Sequence, residues 1–467
     1  MNAPSRSRTA RTMASGRSSV SLVSGLGVCV AVAAAAVLLL NVPRTPEALL
    51  DRYAQDYVVL ALSLDRIKSG EVDSYFGPAA LRDEADNDAA FADIAQRAGL
   101  LSDELIARLD ESSAAEDIPV ELYARSTDLL LRIGQLQTVA ASLAAANRAS
   151  FADELLYLYG VTVPEEAGNA AADARAELDQ LLPGRGTLAF RLASFHNKLI
   201  IPPDKRRIVF EAALAECRRR TQQHWQLPED EQLDIEWTRE VSAAWHQYRG
   251  SNRSTLRLND LTIAVVSHAV DLACHEAYPG HHAQFLLMDA VAKGDATAEG
   301  GALPVEAQLA LLRTPGSLLR EGAANFGVEL VFSPEERLAF ERDELFPLAG
   351  LPSEQAEVAA RVHVLVTQLS SAVVPVIRTY YDGDIDFNAA SWRLERDAMI
   401  MSPLPLLEFV DEYGTYSMGY TLVRDRMRQH TSGMSRSQAW QVLAQMLTGS
   451  PSDALAQLQH FSIAESQ

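Results

Sequence analysis

The sequence predicts a mainly α-helical fold, on three observations. Apolar residues recur at spacings of three and four through most of the chain, strand signals are confined to one short region, and turns are marked by compact Pro and Gly clusters instead of long linkers. A chain of 467 residues with 48% hydrophobic content is long enough to bury a substantial core. No internal repeat or low-complexity tract interrupts it.

Along the chain, residues 1 to 17 carry Arg6, Arg8, Arg11 and Arg17 without an acid, and Ser18 to Val42 is uncharged and rich in Val, Ala and Leu. Residues 1 to 43 therefore read as an export segment. The apolar run is long enough to span a bilayer, and the flanking arginines would stay in the cytoplasm, placing everything after Pro43 on the periplasmic side. A signal anchor fits best, so that the membrane is met through this segment only. A cleaved signal peptide with release of the remainder comes next, because Ala31 to Ala36 offers small residues. Lipidation at Cys29 fits least, with the bulky Val28 before it.

Thr45-Pro46-Glu47 starts a helix in which Leu49, Tyr53, Tyr57, Leu60 and Leu64 keep the helical period. Similar stripes run through Leu122, Leu129, Ile133 and Leu136, and after Pro202-Pro203-Asp204 through Ile208, Ala212 and Ala215. Tyr75 to Pro78, Leu182 to Gly186 and Ile201 to Pro203 read as turns. Residues 44 to 230 thus form an N-terminal helical part, packed as one body with residues 231 to 467. In that second part, Leu233 to Thr238 alternates as a strand does, and Trp245 to Arg249 and Thr255 to Asn259 flank Gly250-Ser251-Asn252 as a hairpin. Its edge could pair with an extended peptide or serve only as cover. Leu261 to Tyr278 then reads as a long buried helix.

That helix runs into the most informative stretch of the chain, His275-Glu276-Ala277-Tyr278-Pro279-Gly280-His281-His282, which gathers three of the ten histidines beside a glutamate. Neutral imidazoles bind Zn²⁺ well, and a carboxylate next to a ligand can act as a base on a water near the ion. The pattern varies H-E-x-x-H, in which two histidines share one helical face. Here Pro279 takes the place of the expected second histidine, and His281 follows two residues later, so an unbroken helix would point it away from His275. Pro279 and Gly280, which can take φ > 0, predict a break that brings His281 back. His282 stays open as the alternative ligand. Two histidines leave a hydrolytic zinc site one protein ligand short. Glu321 fits, because an unpartnered carboxylate in the apolar stretch Leu318 to Phe326 would be costly, the bland alternative being an ion pair with Arg320. Asp271, His268 or Asn325 could hold a ligand imidazole through its second nitrogen.

The residues around this octet carry a resemblance. Trp245-His246-Gln247-Tyr248-Arg249-Gly250, Ser254, Asn259, Asp260 and Asp271 to Cys274 lead into the octet, and Glu321-Gly322-Ala323-Ala324-Asn325-Phe326 follows. Together they resemble the domain of unknown function 885 family, HExxPGHH proteins grouped with gluzincin-like zinc metallopeptidases. The resemblance covers roughly residues 230 to 430. It implies a large helical shell around a cleft, one Zn²⁺ held by His275, His281 and Glu321, and Glu276 as the general base of a peptidase. Where the family carries Glu-Gly-Trp-Ala, this chain has Ala323 in place of the tryptophan, which keeps the ligand and alters the pocket lining. Tyr413 to Tyr420 resembles the family's Tyr-x-x-Gly stretch, which implies Tyr416, with Tyr420 behind it, as the donor to a developing oxyanion.

Composition limits the alternatives. The formal charge is −21, and the anionic surface argues against nucleic acid, with Arg218-Arg219-Arg220 read as a solvated helix end. Outside the export segment only Cys217 and Cys274 remain, too few for a disulfide framework, and Cys274 reads as a small packed residue. The expected substrate is a peptide or small amide. A metal hydrolase of a non-peptide amide or ester, or an inactive metal-binding envelope protein, are the competing readings.

Overall fold

The computed structural model describes residues 45–113, 119–163, 170–241, 243–295 and 303–460. Residues 1 to 43, which the sequence reads as an export segment, lie outside them. The described residues from Asp51 onward group as one compact unit.

The fold is mainly α, as the sequence predicts. Five short strands accompany the helices among the described residues: β1 (Val72–Tyr75), β2 (Gln232–Trp237), β3 (Ala244–Gly250), β4 (Arg253–Leu258) and β5 (Leu309–Leu311). β1 pairs antiparallel with β5, a pairing the sequence did not announce, and its register slips between Val72 and Ser74, so that Asp73 is the bulged residue. The other three form one sheet in the order β2-β4-β3, with β2 parallel and β3 antiparallel to β4. The β3–β4 hairpin is the expected one. Ser251 and Asn252 both have positive φ, at 50° and 61°, as a turn matching the twist of its strands requires. The outer edge of β3 is not open along its length, because Ser74 Oγ donates to the Tyr248 carbonyl at 2.7 Å.

The helical stripes bury as their period demands, with one shift. Tyr53, Tyr57, Leu60 and Leu64 are buried in the helix Pro46–Ile67, and Leu129, Ile133 and Leu136 in Val120–Ala144. In Arg206–Thr221 the buried face is Val209, Phe210, Ala213 and Cys217, whereas Ile208 is exposed. The expected stripe lay one residue off, because Ile208 is apolar yet the adjoining face is the one that meets Val266–Glu276. Arg218, Arg219 and Arg220 end that helix, paired with Glu231 and Glu216; the first two reach solvent as expected of a solvated end, whereas Arg220 is largely covered, with its guanidinium over Phe332. The run Ser353–Tyr381 is long and apolar enough to cross a membrane. It is nevertheless broken by a 3-10 turn at Ser370–Ala372, and Val362, Leu365 and Leu369 pack against Leu178, Leu188 and Leu192, which makes it a core element.

Two findings correct the sequence reading. The long helix expected over 261 to 278 is a 3-10 turn, Asp260–Thr262, followed by a helix confined to Val266–Glu276. Cys217 and Cys274 form a disulfide, with Cα atoms 5.5 Å apart, joining Arg206–Thr221 to the helix that carries His275. Counting cysteines could not reveal this, because one bridge between two packed helices needs only proximity, which is a tertiary property.

Candidate metal centre

Between Val266–Glu276 and His281–Asp295 the chain turns within four residues. Ala277 leaves helical geometry at φ −120°, ψ −72°, the Tyr278–Pro279 bond is cis, and Gly280 N–H returns to the Cys274 carbonyl at 2.9 Å. The break is where the sequence places it, but the role of Gly280 differs from the expected one. It is not among the glycines with positive φ. A Cβ there would lie 1.5 Å from the His275 carbonyl oxygen, so glycine is required by close approach. Gly327, facing Pro279 across the next helix, is required likewise, since its Cβ would stand 2.6 Å from Pro279 Cγ.

That next helix, Pro315–Val331, supplies Glu321. It starts on a capping box in which Thr314 and Ser317 satisfy each other's backbone, with Pro315 in the first turn. Gly322 lets Val423 pack directly on it, where a Cβ would meet Val423 Cγ1 at 2.3 Å.

These elements bring three side chains together. His275 Nε2 stands 3.4 Å from one Glu321 oxygen, His281 Nε2 stands 3.5 Å from the other, and the three ligand atoms lie within 4.8 Å of one another. Donors held roughly 2.0–2.1 Å from a tetrahedral Zn²⁺ are about 3.4 Å apart, so the spacing fits one ion. The hydrogen bonds argue the same way. Asn325 Nδ2 donates to the Tyr420 carbonyl at 2.8 Å, which turns the amide so that its Oδ1 must accept from His275 Nδ1, also at 2.8 Å. In the neutral ring the lone pair then sits on Nε2, facing Glu321 Oε2, a buried oxygen without a hydrogen bond. A bound cation, or a proton on the imidazole, satisfies two acceptors that face each other in this way.

His282 is excluded as a ligand by its own bonds. It is fully buried, Nε2 meets Glu231 Oε2 at 2.8 Å and Nδ1 meets Ser254 Oγ at 2.7 Å. Ser254 also holds His246 Nε2 at 2.9 Å, and Glu231 takes further bonds from Tyr278 and Arg218. Burial alone would raise the Glu231 carboxyl, yet the donors His282, Arg218 and Tyr278 bring it down to about 2. The array pins the first turn of His281–Asp295 to the sheet.

Of the residues named for the second nitrogen of His275, Asn325 is the one in place. Asp271 instead pairs with Arg337 at 2.8 Å and lies 3.5 Å from His363, while His268 faces His196. Arg320 is not the partner of Glu321 either; it pairs with Asp73 at 3.2 Å.

Glu276, the last residue of its helix, is buried, and among the described residues no hydrogen bond engages its carboxylate. Burial pushes its pKa up; His275 and His281 oppose this, and Glu321 adds to it. Glu321 itself is held well below the carboxylate range, because His281 and His275 outweigh its burial. Burial would lower His281, but Glu321 raises it to about 9.

Tyr416 OH donates to Glu321 Oε1 at 2.7 Å, so the expected oxyanion donor sits on the candidate ligand carboxylate. Tyr420 stacks on His275, with centroids 5.7 Å apart. Both phenols lie in the 3-10 segment Gly414–Tyr420. Glu154 holds its start, accepting from the Thr415 N–H and hydroxyl at 2.9 Å each, and Gly414 lies so close to that carboxylate that a Cβ would stand 2.4 Å from its oxygen. Sequence reasoning missed Asp73, whose bulge turns it toward the site, where its charge acts on Glu276, His281, Tyr416 and Tyr420. It carries no motif, and only the slipped register marks it.

No protein-family model and no curated protein matches the chain. Among solved structures, a protein described as a lipoprotein from Colwellia psychrerythraea is similar at a TM-score of 0.45 and 12% identity, over 79% of this chain and 69% of that one.

Proposed function

We propose that the chain is a zinc-dependent metallohydrolase that cleaves peptides, of the domain of unknown function 885 kind, exported to the periplasmic side and held at the inner membrane through residues 1 to 43. The observation that carries this is the convergence of His275, His281 and Glu321 at ligand spacing beside the unengaged carboxylate of Glu276. The arginine-led apolar start and the Cys217–Cys274 bridge support an oxidising, exported setting.

Zinc held by His275, His281 and Glu321 would supply a Lewis acid for the scissile carbonyl and would acidify a nearby water. Asn325 keeps His275 in the tautomer that offers Nε2. Glu276, poised high by burial, accepts the water's proton and passes it to the leaving nitrogen. Burial, with Glu321 adding to it, keeps both Tyr416 and Tyr420 protonated far above neutral pH; Tyr416 spends its proton on Glu321, which leaves Tyr420 as the donor for the negative charge that develops on the carbonyl oxygen.

The test pairs elemental analysis with digestion of a mixed peptide library. The protein should hold one zinc per chain, and Glu276→Gln should keep the metal while losing turnover by about 10²- to 10⁴-fold. Undiminished cleavage by that variant would refute the base assignment, and a protein purified without stoichiometric metal would remove the reading altogether.

A further inference from the structure

Beside the proposed metal centre lies a cavity of about 630 Å³ that the chemistry above does not use. The candidate ligands do not line it, but Phe285 and Arg320 of its lining adjoin them. Phe285 follows His281 by one helical turn, and the His246 ring lies 5.7 Å from Phe285 and 5.8 Å from His281. Arg320, which precedes the ligand Glu321, lays its guanidinium over the Phe285 ring at 5.2 Å and lines the cavity.

The charges of that lining are unequal in their availability. Asp128 and Arg132 pair with each other at 2.6 Å within the wall. Asp289 is taken by Tyr248 OH and by Lys293. Arg320 differs, because its counter-ion Asp73 is not part of the lining, and among the described residues the guanidinium's one hydrogen bond is from Nη2 to that carboxylate. The bond orients the fork, and Nη1 lies beside Gly316, 3.5 Å from where a Cβ would stand, at the cavity wall. A planar fork held on one side with free N–H groups on the other suits a carboxylate. Next to it, Phe76, Tyr248, Phe285 and Met288 offer an apolar surface.

We propose that Arg320 binds the α-carboxylate of a peptide's C-terminal residue, with that residue's apolar side chain in the cavity, so that hydrolysis at the metal centre releases residues from the C-terminal end. This rests on the peptidase reading and adds its substrate class. The water's oxygen ends on the newly formed carboxylate, and its hydrogens end on the released amine and in solution.

The test uses the metal-loaded full chain and peptides of one sequence ending in an apolar residue, as free acid or as amide. The free acid should be cleaved with a kcat/KM about 10- to 100-fold higher, the scale of a hydrogen-bonded charge pair. Arg320→Met should bring that ratio close to one, with metal content as the control. Equal cleavage of acid and amide by the unaltered protein, or a ratio unchanged in the variant, overturns the proposal. A third peptide ends in aspartate amide; if it is cleaved like the free acid, the recognised group is a side-chain carboxylate, and the C-terminal assignment fails. Should no peptide be cleaved, the hydrolase reading suffers on its own, and titrating the same peptides onto metal-loaded Glu276→Gln still decides the carboxylate site. Tighter binding of the acid supports it, and equal affinity refutes it.

Discussion

Asn325 shows how much one neutral side chain can determine. Its amide is turned by the Tyr420 carbonyl, and its oxygen in turn sets which nitrogen of His275 carries the proton. Leucine in its place keeps the volume and removes that control, so Asn325→Leu should weaken zinc binding about 10- to 100-fold, measured by competition with a chromophoric chelator. Glu231 acts at the same scale on His282, the neighbour of His281. Its carboxyl is held near 2, below the roughly 4.3 of an unfolded chain, so its contribution to stability is present above the unfolded value and fades as pH falls through the folded one. Glu231→Gln should therefore cost about 1–3 kcal/mol in urea unfolding at pH 7. The gap between variant and parent should close between about pH 4 and pH 2; a gap independent of pH over that window would show that the charge is not what matters.

At the scale of elements, the site depends on how three helices are tied. The Cys217–Cys274 bridge joins Arg206–Thr221 to Val266–Glu276 immediately before His275, closing a loop of 57 residues. By loop-closure entropy such a bridge is worth about 4 kcal/mol. The double variant Cys217→Ala, Cys274→Ala should lose a stability of that order in denaturant unfolding, and an unchanged midpoint would mean that the packed helices hold without it. On the other side, the break at Ala277 to Gly280 packs closely against His275 and Gly327. The capped start of Pro315–Val331 then presents Glu321 in its second turn.

For the whole molecule, the metal would act as a fourth fastening. Its three ligands come from helices separated along the chain by up to 46 residues, between His275 and Glu321, and the unfolded chain has no such site. Ligand that binds only the folded form adds about 2.7 kcal/mol when free metal is 100 times its dissociation constant. Removing the ion with a chelator should lower the thermal midpoint, and adding zinc back should restore it; a midpoint insensitive to both would argue against a bound ion. The strongly acidic balance outside residues 1 to 43 acts at this scale too, giving the surface a negative field in which Arg320 is a cation turned to a cavity.

Local chemistry made several parts readable before any coordinates. The mainly α character, the β3–β4 hairpin and the break near Pro279 follow from period, turn residues and a missing N–H, which act over a few neighbours. Glu321 was legible because a carboxylate in an apolar helix needs a partner wherever it folds. What the tertiary structure alone decided has the opposite character. The choice of His281 over His282 depends on Glu231 and Ser254 reaching His282 from 51 and 28 residues away. The disulfide, the bulge that turns Asp73 inward, the Asn325 bond to His275 and the cavity beside Arg320 are likewise meetings of distant segments. Spacing along a chain encodes which face a residue lies on; which partner waits there is set by packing across the core.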